Sequence, residues 1–459
     1  MKPVMDSLFA INLSNPQEIP MRHLLPITAI MAAGLSLLFS ACKSTPPAPP
    51  LAITPEYRKV AIQAMKILNA YRAKTPDLEK PAPLRLVYFV AADRTPLPQY
   101  QKRLTGWFDD YQEFFRSEFA RNGYQPHELN LERIPGGQIR LHLVRGQKPD
   151  SDYSYSQSSG KEICREAREA LKGVVDFDKE TVLIICALSK TTEDGKIKLY
   201  APFYGLGIGT PVKGTALVVD QELLAIPNLA EAERKVTIAE HRDRTMSLGE
   251  YNTTYIGGTL HELGHALSLP HDYQTGAETS RGIPLMGTGN YTYRNDRHGK
   301  SPVTYLSFSE ATRLIAQPII SHRTCERATI PKLEGSFNIF PETRSLSIQA
   351  TLKSRIPVYA VVTYIDKDGN DDYDARTLVT APDDKGQVCI LIPELPNGSG
   401  CIRVACCHAN GAISQFCKYY KNAGDGTPIV FANHPEGNVV RPAVRYITKP
   451  TPTAPAAKP

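Results

Sequence analysis

Three side chains within one turn of predicted helix, His261, Glu262 and His265, and a fourth just past Pro270, His271, have the types and spacing for metal-assisted chemistry. The apolar positions Ile256, Leu260, Leu263 and Leu267 recur at helical spacing and predict a helix packed on one side. His261 and His265 then share a face, so both imidazoles can reach one ion. Glu262 is offset beside that position, where a carboxylate can take a proton from a water that the ion activates. Pro270 lacks an amide hydrogen and biases Leu269 away from helical backbone. The helix should therefore stop near Leu267 and let His271 approach from a new direction. Three neutral imidazoles leave a fourth position open, the layout of a catalytic zinc site rather than a structural one, and nitrogen ligands favour zinc over calcium or magnesium. A rival set replaces His271 with a downstream carboxylate, Glu278 or Glu310. Against it, Glu310 falls in the pattern Phe308, Ala311, Leu314, Ile315 of an ordinary amphipathic helix.

The run H-E-L-G-H-A-L-S-L-P-H-D at residues 261–272 resembles the metzincin zinc-protease signature H-E-x-x-H-x-x-G-x-x-H, and Met286 in P-L-M-G-T-G resembles its Met-turn. The resemblance implies an endopeptidase holding one Zn2+ on His261, His265 and His271, with Glu262 as general base and Met286 as the floor beneath the metal. Ser268 departs from the pattern, standing where the family has glycine. That glycine permits a positive φ, and serine there costs about 1 kcal/mol. In some relatives a tyrosine after the Met-turn stabilises the oxyanion, which makes Tyr291 and Tyr293 candidates. Asp272 either hydrogen-bonds a ligand from behind or fixes the local turn. The glycine-rich residues 200–215 read, by the same resemblance, as the edge strand and cleft rim where an extended substrate adds a strand; the other reading is a mobile surface loop.

These residues need elements to hold them. Residues 84–90, 139–144 and 182–188 read as strands, and residues 99–122 and 161–171 as helices. Strand, helix, strand, helix, strand is the α/β order of a twisted sheet covered by helices. Residues 226–244 read as a polar connection to the active helix, and residues 307–317 as the closing helix. The catalytic domain is set at residues 84–324, with a metzincin-like α/β (α+β) fold and a twisted mixed sheet. It is preceded by a Pro-rich tether and helical segment at residues 43–83. Beyond it, seven short strands between residues 337 and 420 suggest an all-β immunoglobulin-like sandwich at residues 332–422, followed by a low-complexity tail at residues 423–459. The acidic run at residues 366–372 resembles half a calcium loop, but Thr377 stands where the closing glutamate belongs; it reads as a hairpin turn.

Residues 1–42 read as an export signal, with Met21 as the expected start. Arg22 and His23 precede an apolar run at residues 24–39, and Ser40-Ala41-Cys42 closes it like a bacterial lipoprotein signal, with Cys42 lipidated. The expected location is a membrane anchor on the outer membrane or cell surface, otherwise secretion. In an exported chain the cysteines crowded into the sandwich region favour disulfides over metal. The 459 residues carry a net charge of +6 with no Lys/Arg block, so no nucleic-acid partner is expected. The expected partners are a protein or peptide substrate and the lipid bilayer. Two other classes remain: a catalytically inactive metzincin-like adhesion or binding lipoprotein, and a zinc hydrolase of non-peptide bonds.

Overall fold

The computed structural model describes residues 53–77, 80–210, 213–276, 278–324, 330–341, 345–367, 373–425, 429–432 and 444–446. The chain divides into two units, Met1–Pro49 and Pro50–Pro459, and every described residue belongs to the second. The apolar run, Cys42 and the centre of the acidic run lie outside the described residues. No described helix is long and apolar enough to cross a membrane.

The architecture is mixed α/β with several sheets. In chain order come α1 (Pro55–Lys74), β1 (Arg85–Val90), α2 (Tyr100–Arg121), β2 (His142–Arg145), α3 (Gln157–Ala170), β3 (Thr181–Cys186), β4 (Ser189–Thr191), β5 (Ile197–Leu199), β6 (Tyr204–Gly207), β7 (Gly214–Val219), β8 (Lys235–Ile238), β9 (Arg244–Ser247) and α4 (Leu248–Ala266). The first sheet runs β2-β1-β3-β7-β6, parallel except for β6, which pairs antiparallel with β7 at one edge. Its central strands β1, β3 and β7 are apolar on both faces because helices cover both. Val87, Phe89, Val182 and Ile184 pack with Ile163 and Ala167 of α3. Leu86, Tyr88, Leu183 and Ile185 share a core with Trp107 and Phe108 of α2 and with Ile256, Leu260 and Leu263 of α4. A second sheet, β4-β5-β8-β9, occupies part of what the sequence offers as a polar connection.

Past α4 the chain makes short turns around β10 (Ile283–Pro284) and β11 (Thr304–Tyr305), then α5 (Phe308–Leu314) and α6 (Pro318–Ser321). The strand-rich remainder comprises β12 (Leu333–Pro341), β13 (Leu346–Ser354), β14 (Val358–Lys367), β15 (Arg376–Thr380), β16 (Gln387–Ile392), β17 (Gly398–His408), β18 (Ile413–Asn422), β19 (Val430–Ala432) and β20 (Val444–Tyr446). They form two sheets, β16-β13-β12-β20 and β15-β14-β17-β18-β19, with Ile348, Ile390, Val361, Val404 and Phe416 in a shared core.

Strand β14 joins the halves of the molecule. Val361 and Ile365 point into the core between the two sheets, whereas Ala360, Val362 and Tyr364 join the core that contains α2 and α4. Helix α1 wedges in beside it, with Tyr57 stacked on Phe308 of α5 at 4.3 Å.

Candidate metal centre

Helix α4 starts earlier than its apolar stripe suggests. Ser247 Oγ accepts from the amide of Glu250 at 3.1 Å and the Glu250 carboxylate accepts from the amide of Ser247 at 2.8 Å, a reciprocal cap that satisfies two end donors. The helix ends at Ala266, and Ser268 follows with φ of 65°. This is the left-handed backbone that glycine would relieve, and the serine recovers part of the cost: its Oγ accepts from the amide of Gly209 at 2.9 Å. Arg313 donates to the Ser268 carbonyl at 2.6 Å and to the Tyr364 hydroxyl at 3.1 Å. The turn thus held delivers His271.

The three imidazoles converge, with ligating nitrogens all within 4.8 Å of one another. His265 Nε2 and His271 Nε2 stand 3.0 Å apart. His261 Nδ1 is 2.7 Å from the Leu285 carbonyl and His265 Nδ1 is 2.9 Å from the Leu269 carbonyl. A carbonyl can only accept, so each Nδ1 carries the proton and each Nε2 keeps a lone pair for the common point. Burial, reinforced by the other two imidazoles, holds His261 well below its ordinary pKa; it is neutral, as a metal ligand must be. This donor set fits a zinc-type ion.

Glu262 is placed beside the triad. Burial pushes its carboxyl up to about 8, opposed only by a hydrogen bond from the backbone of Gly205. That contact depends on close approach of β6 to α4, since a Cβ on Gly205 would lie 2.0 Å from the Glu262 carbonyl oxygen. The glycine-rich segment is therefore an edge strand pressed against the active helix. Met286 is fully buried under α4, where a Cβ on Gly264 would meet its sulfur at 2.3 Å.

Asp272 and the two rival carboxylates lie behind the centre, and neither Glu278 nor Glu310 joins the ligand cluster. Asp272 Oδ2 accepts from Ser307 Oγ at 2.7 Å and Ser309 Oγ at 2.8 Å. Glu310 accepts from the amides of Met286 at 2.7 Å and Ser307 at 2.8 Å, and Glu278 from the amide of Phe308 at 2.9 Å. Burial pushes both the Asp272 and Glu310 carboxyls up, and the charge of Asp272 adds to the rise at Glu310. The pair thereby ties the chain after His271 to the Met286 turn and to α5.

The candidate tyrosines separate. Tyr293 is fully buried and its hydroxyl donates to Asp110 at 2.5 Å, a placement that does not fit the oxyanion expectation; Asp110 also pairs with Arg294 and Arg297. Tyr291 stays at the surface, 42% exposed. Sequence reasoning missed Tyr155, whose hydroxyl pKa is raised by burial and then by the nearby charges of Glu262 and Tyr291. It also missed Tyr373, whose ring stacks on His271 with centroids 3.9 Å apart. Neither carries a motif; only the fold brings them here. Among the described residues the seven cysteines form no disulfide, although the thiols of Cys401 and Cys417 hydrogen-bond each other.

No family model and no curated protein matches the chain. Among solved structures it is similar to wild-type OgpA from Akkermansia muciniphila, at 26% identity and a TM-score of 0.62, over 76% of this chain and 97% of that one. A second crystal form of that protein matches at 25% identity over 79% of this chain and 98% of that one, again with a TM-score of 0.62. Catalytically inactive OgpA in complex with an O-glycopeptide (glycodrosocin) substrate matches at 25% identity and a TM-score of 0.62, over 76% and 96%. The mixed α/β fold is thus shared over nearly the full length of a protein crystallised with a glycopeptide substrate.

Proposed function

We propose that the chain is a zinc-dependent endopeptidase of metzincin type. The observation that carries this reading is the convergence of His261, His265 and His271, with the Nδ1 atoms of His261 and His265 facing carbonyls and a buried carboxyl alongside. A zinc ion bound there would acidify a water and polarise the scissile carbonyl. Glu262, buried beside the triad with only the Gly205 backbone as hydrogen-bond partner, would take the water's proton as general base and hand it to the leaving amine. Met286 supports α4 from below. Strand β6, the outer strand of its sheet, offers backbone groups on which an extended peptide can add a strand. Tyr291 remains the candidate oxyanion donor of the original pair, and Asp272 fixes the turn that carries His271.

The O-glycopeptide held by the similar structure supports a substrate of that class for this chain. Export and lipid anchoring at Cys42 complete the proposal and place the site where secreted or surface glycoproteins are met. The test is digestion of matched peptides, with and without O-linked sugar, by wild type and Glu262→Gln. Cleavage by wild type alone, stronger on the glycosylated member, is the expected result. Intact peptides under zinc-loaded wild type would leave the inactive binding lipoprotein as the better reading.

A further inference from the structure

The third ligand is held from outside the α/β part of the molecule, and this is not implied by the motif. The residues that carry His271 are clasped by the strand-rich half at both ends. At the start, Arg313 joins the Ser268 carbonyl to the hydroxyl of Tyr364 on β14, at 2.6 Å and 3.1 Å. At the far end, the amide of Tyr273 donates to the carbonyl of Ala375 at 2.8 Å, and Tyr273 forms a parallel bridge with Arg376 of β15. Between the clasps the ring of Tyr373 lies face-on to His271, 3.9 Å away and inclined by 29°. It is 6.1 Å from the ring of His261 and inclined by 28°.

The backing is rigid. Ala360, Val362 and Tyr364 of β14 are buried in the core that holds α4. Behind Tyr364, Arg403 pairs with Asp366 at 2.6 Å and lies over the tyrosine ring at 5.1 Å. His271 follows a proline stop and has no helix of its own, so its ring orientation depends on what packs against it.

We propose that the strand-rich half is an integral wall of the metal centre, and that Tyr373 is a positioning residue that fixes the His271 imidazole through ring stacking. This rests on the metal-site reading above but not on the identity of the bond cleaved. Hydrogen-bonded partners behind a metal-ligating histidine set its orientation and are worth about 10- to 100-fold in metal affinity; a ring stacked face-on constrains the same orientation, and the lower end of that range is expected for it.

The test uses full-length Tyr373→Ala, Tyr373→Leu and Tyr373→Phe, loaded with Co2+ as a spectroscopic probe. Three quantities are read: the Co2+ absorption spectrum, the rate of metal loss to a chelator, and the thermal midpoint of the metal-free protein. Alanine and leucine should both change the spectrum and speed metal loss by about tenfold or more. Phenylalanine, which keeps the ring, should restore both, and the metal-free midpoint should stay within a few degrees of wild type in all three. Wild-type spectrum and release rate in the alanine and leucine variants would overturn the proposal. So would a phenylalanine variant as impaired as alanine, which would assign the effect to the hydroxyl. Wild-type protein that takes up no Co2+ would overturn the metal-site reading beneath it, and peptidase assays that fail while these readouts hold would touch only the proposed function.

Discussion

Glu262 and Ser268 show how single side chains serve the site in different ways. Glu262→Gln keeps the shape of the carboxylate but cannot hold the proton, so zinc content should be unchanged while kcat falls by about 10²- to 10⁴-fold, measured on a fluorogenic peptide. Undiminished turnover would remove Glu262 from the role. Ser268 has φ of 65° and binds the amide of Gly209. Ser268→Gly relieves about 1 kcal/mol of backbone cost and gives up a hydrogen bond worth about as much, so its urea midpoint should stay close to wild type. Ser268→Ala keeps the strain and loses the bond, and should be less stable by about 1 kcal/mol; equal stability would mean that the bond contributes nothing. The motif residues were readable because their chemistry lies in their spacing. Tyr155 and Tyr373 were not, because they arrive from the approach to α3 and from the chain just before β15, each more than a hundred residues from the motif.

Among the elements, α4 and β6 act as a pair. Gly205→Ala would place a methyl 2.0 Å from the Glu262 carbonyl, forcing β6 away from the helix. The overpacking should cost about 1–3 kcal/mol and also remove the Gly205 hydrogen bond to the Glu262 carboxyl. Lower stability and lower kcat should therefore appear together, and an alanine variant with wild-type kcat and midpoint would contradict the close approach. The glycines of residues 200–215 were a signal for this contact, yet glycine equally suits a loop, so sequence alone left both readings open. Helix α4 was legible from its stripe, but its true start lay in Ser247 and Glu250, a capping pair outside that stripe. Strands β8 and β9 went unread because each is only four residues long and opens on a basic residue, Lys235 and Arg244.

At the scale of the whole molecule, the strand positions beyond residue 332 were legible from alternation, and their packing was not. Strand β14 is buried on both faces, and which face meets which core is decided by partners far away in the chain. A consequence appears in acid. His408 is fully buried between the Ile356 carbonyl at 3.1 Å and Ser414 Oγ at 2.7 Å, and burial lowers its pKa from 6.5 to about 4. The unfolded chain therefore takes this proton first as pH falls. Stability is complete above pH 6.5 and is lost between there and about pH 4, by up to about 3 kcal/mol from this group. His408→Gln should narrow the gap between thermal midpoints at pH 7.5 and pH 4.5; an unchanged gap would show that His408 titrates normally. Everything at the site follows from the coordination by three imidazoles, and zinc K-edge absorption of the full-length protein tests it most directly. Three imidazole nitrogens and one oxygen donor at about 2.0–2.1 Å are expected, with one imidazole lost in His271→Ala. A sulfur or all-oxygen shell, or an imidazole count that His271→Ala leaves unchanged, would contradict it.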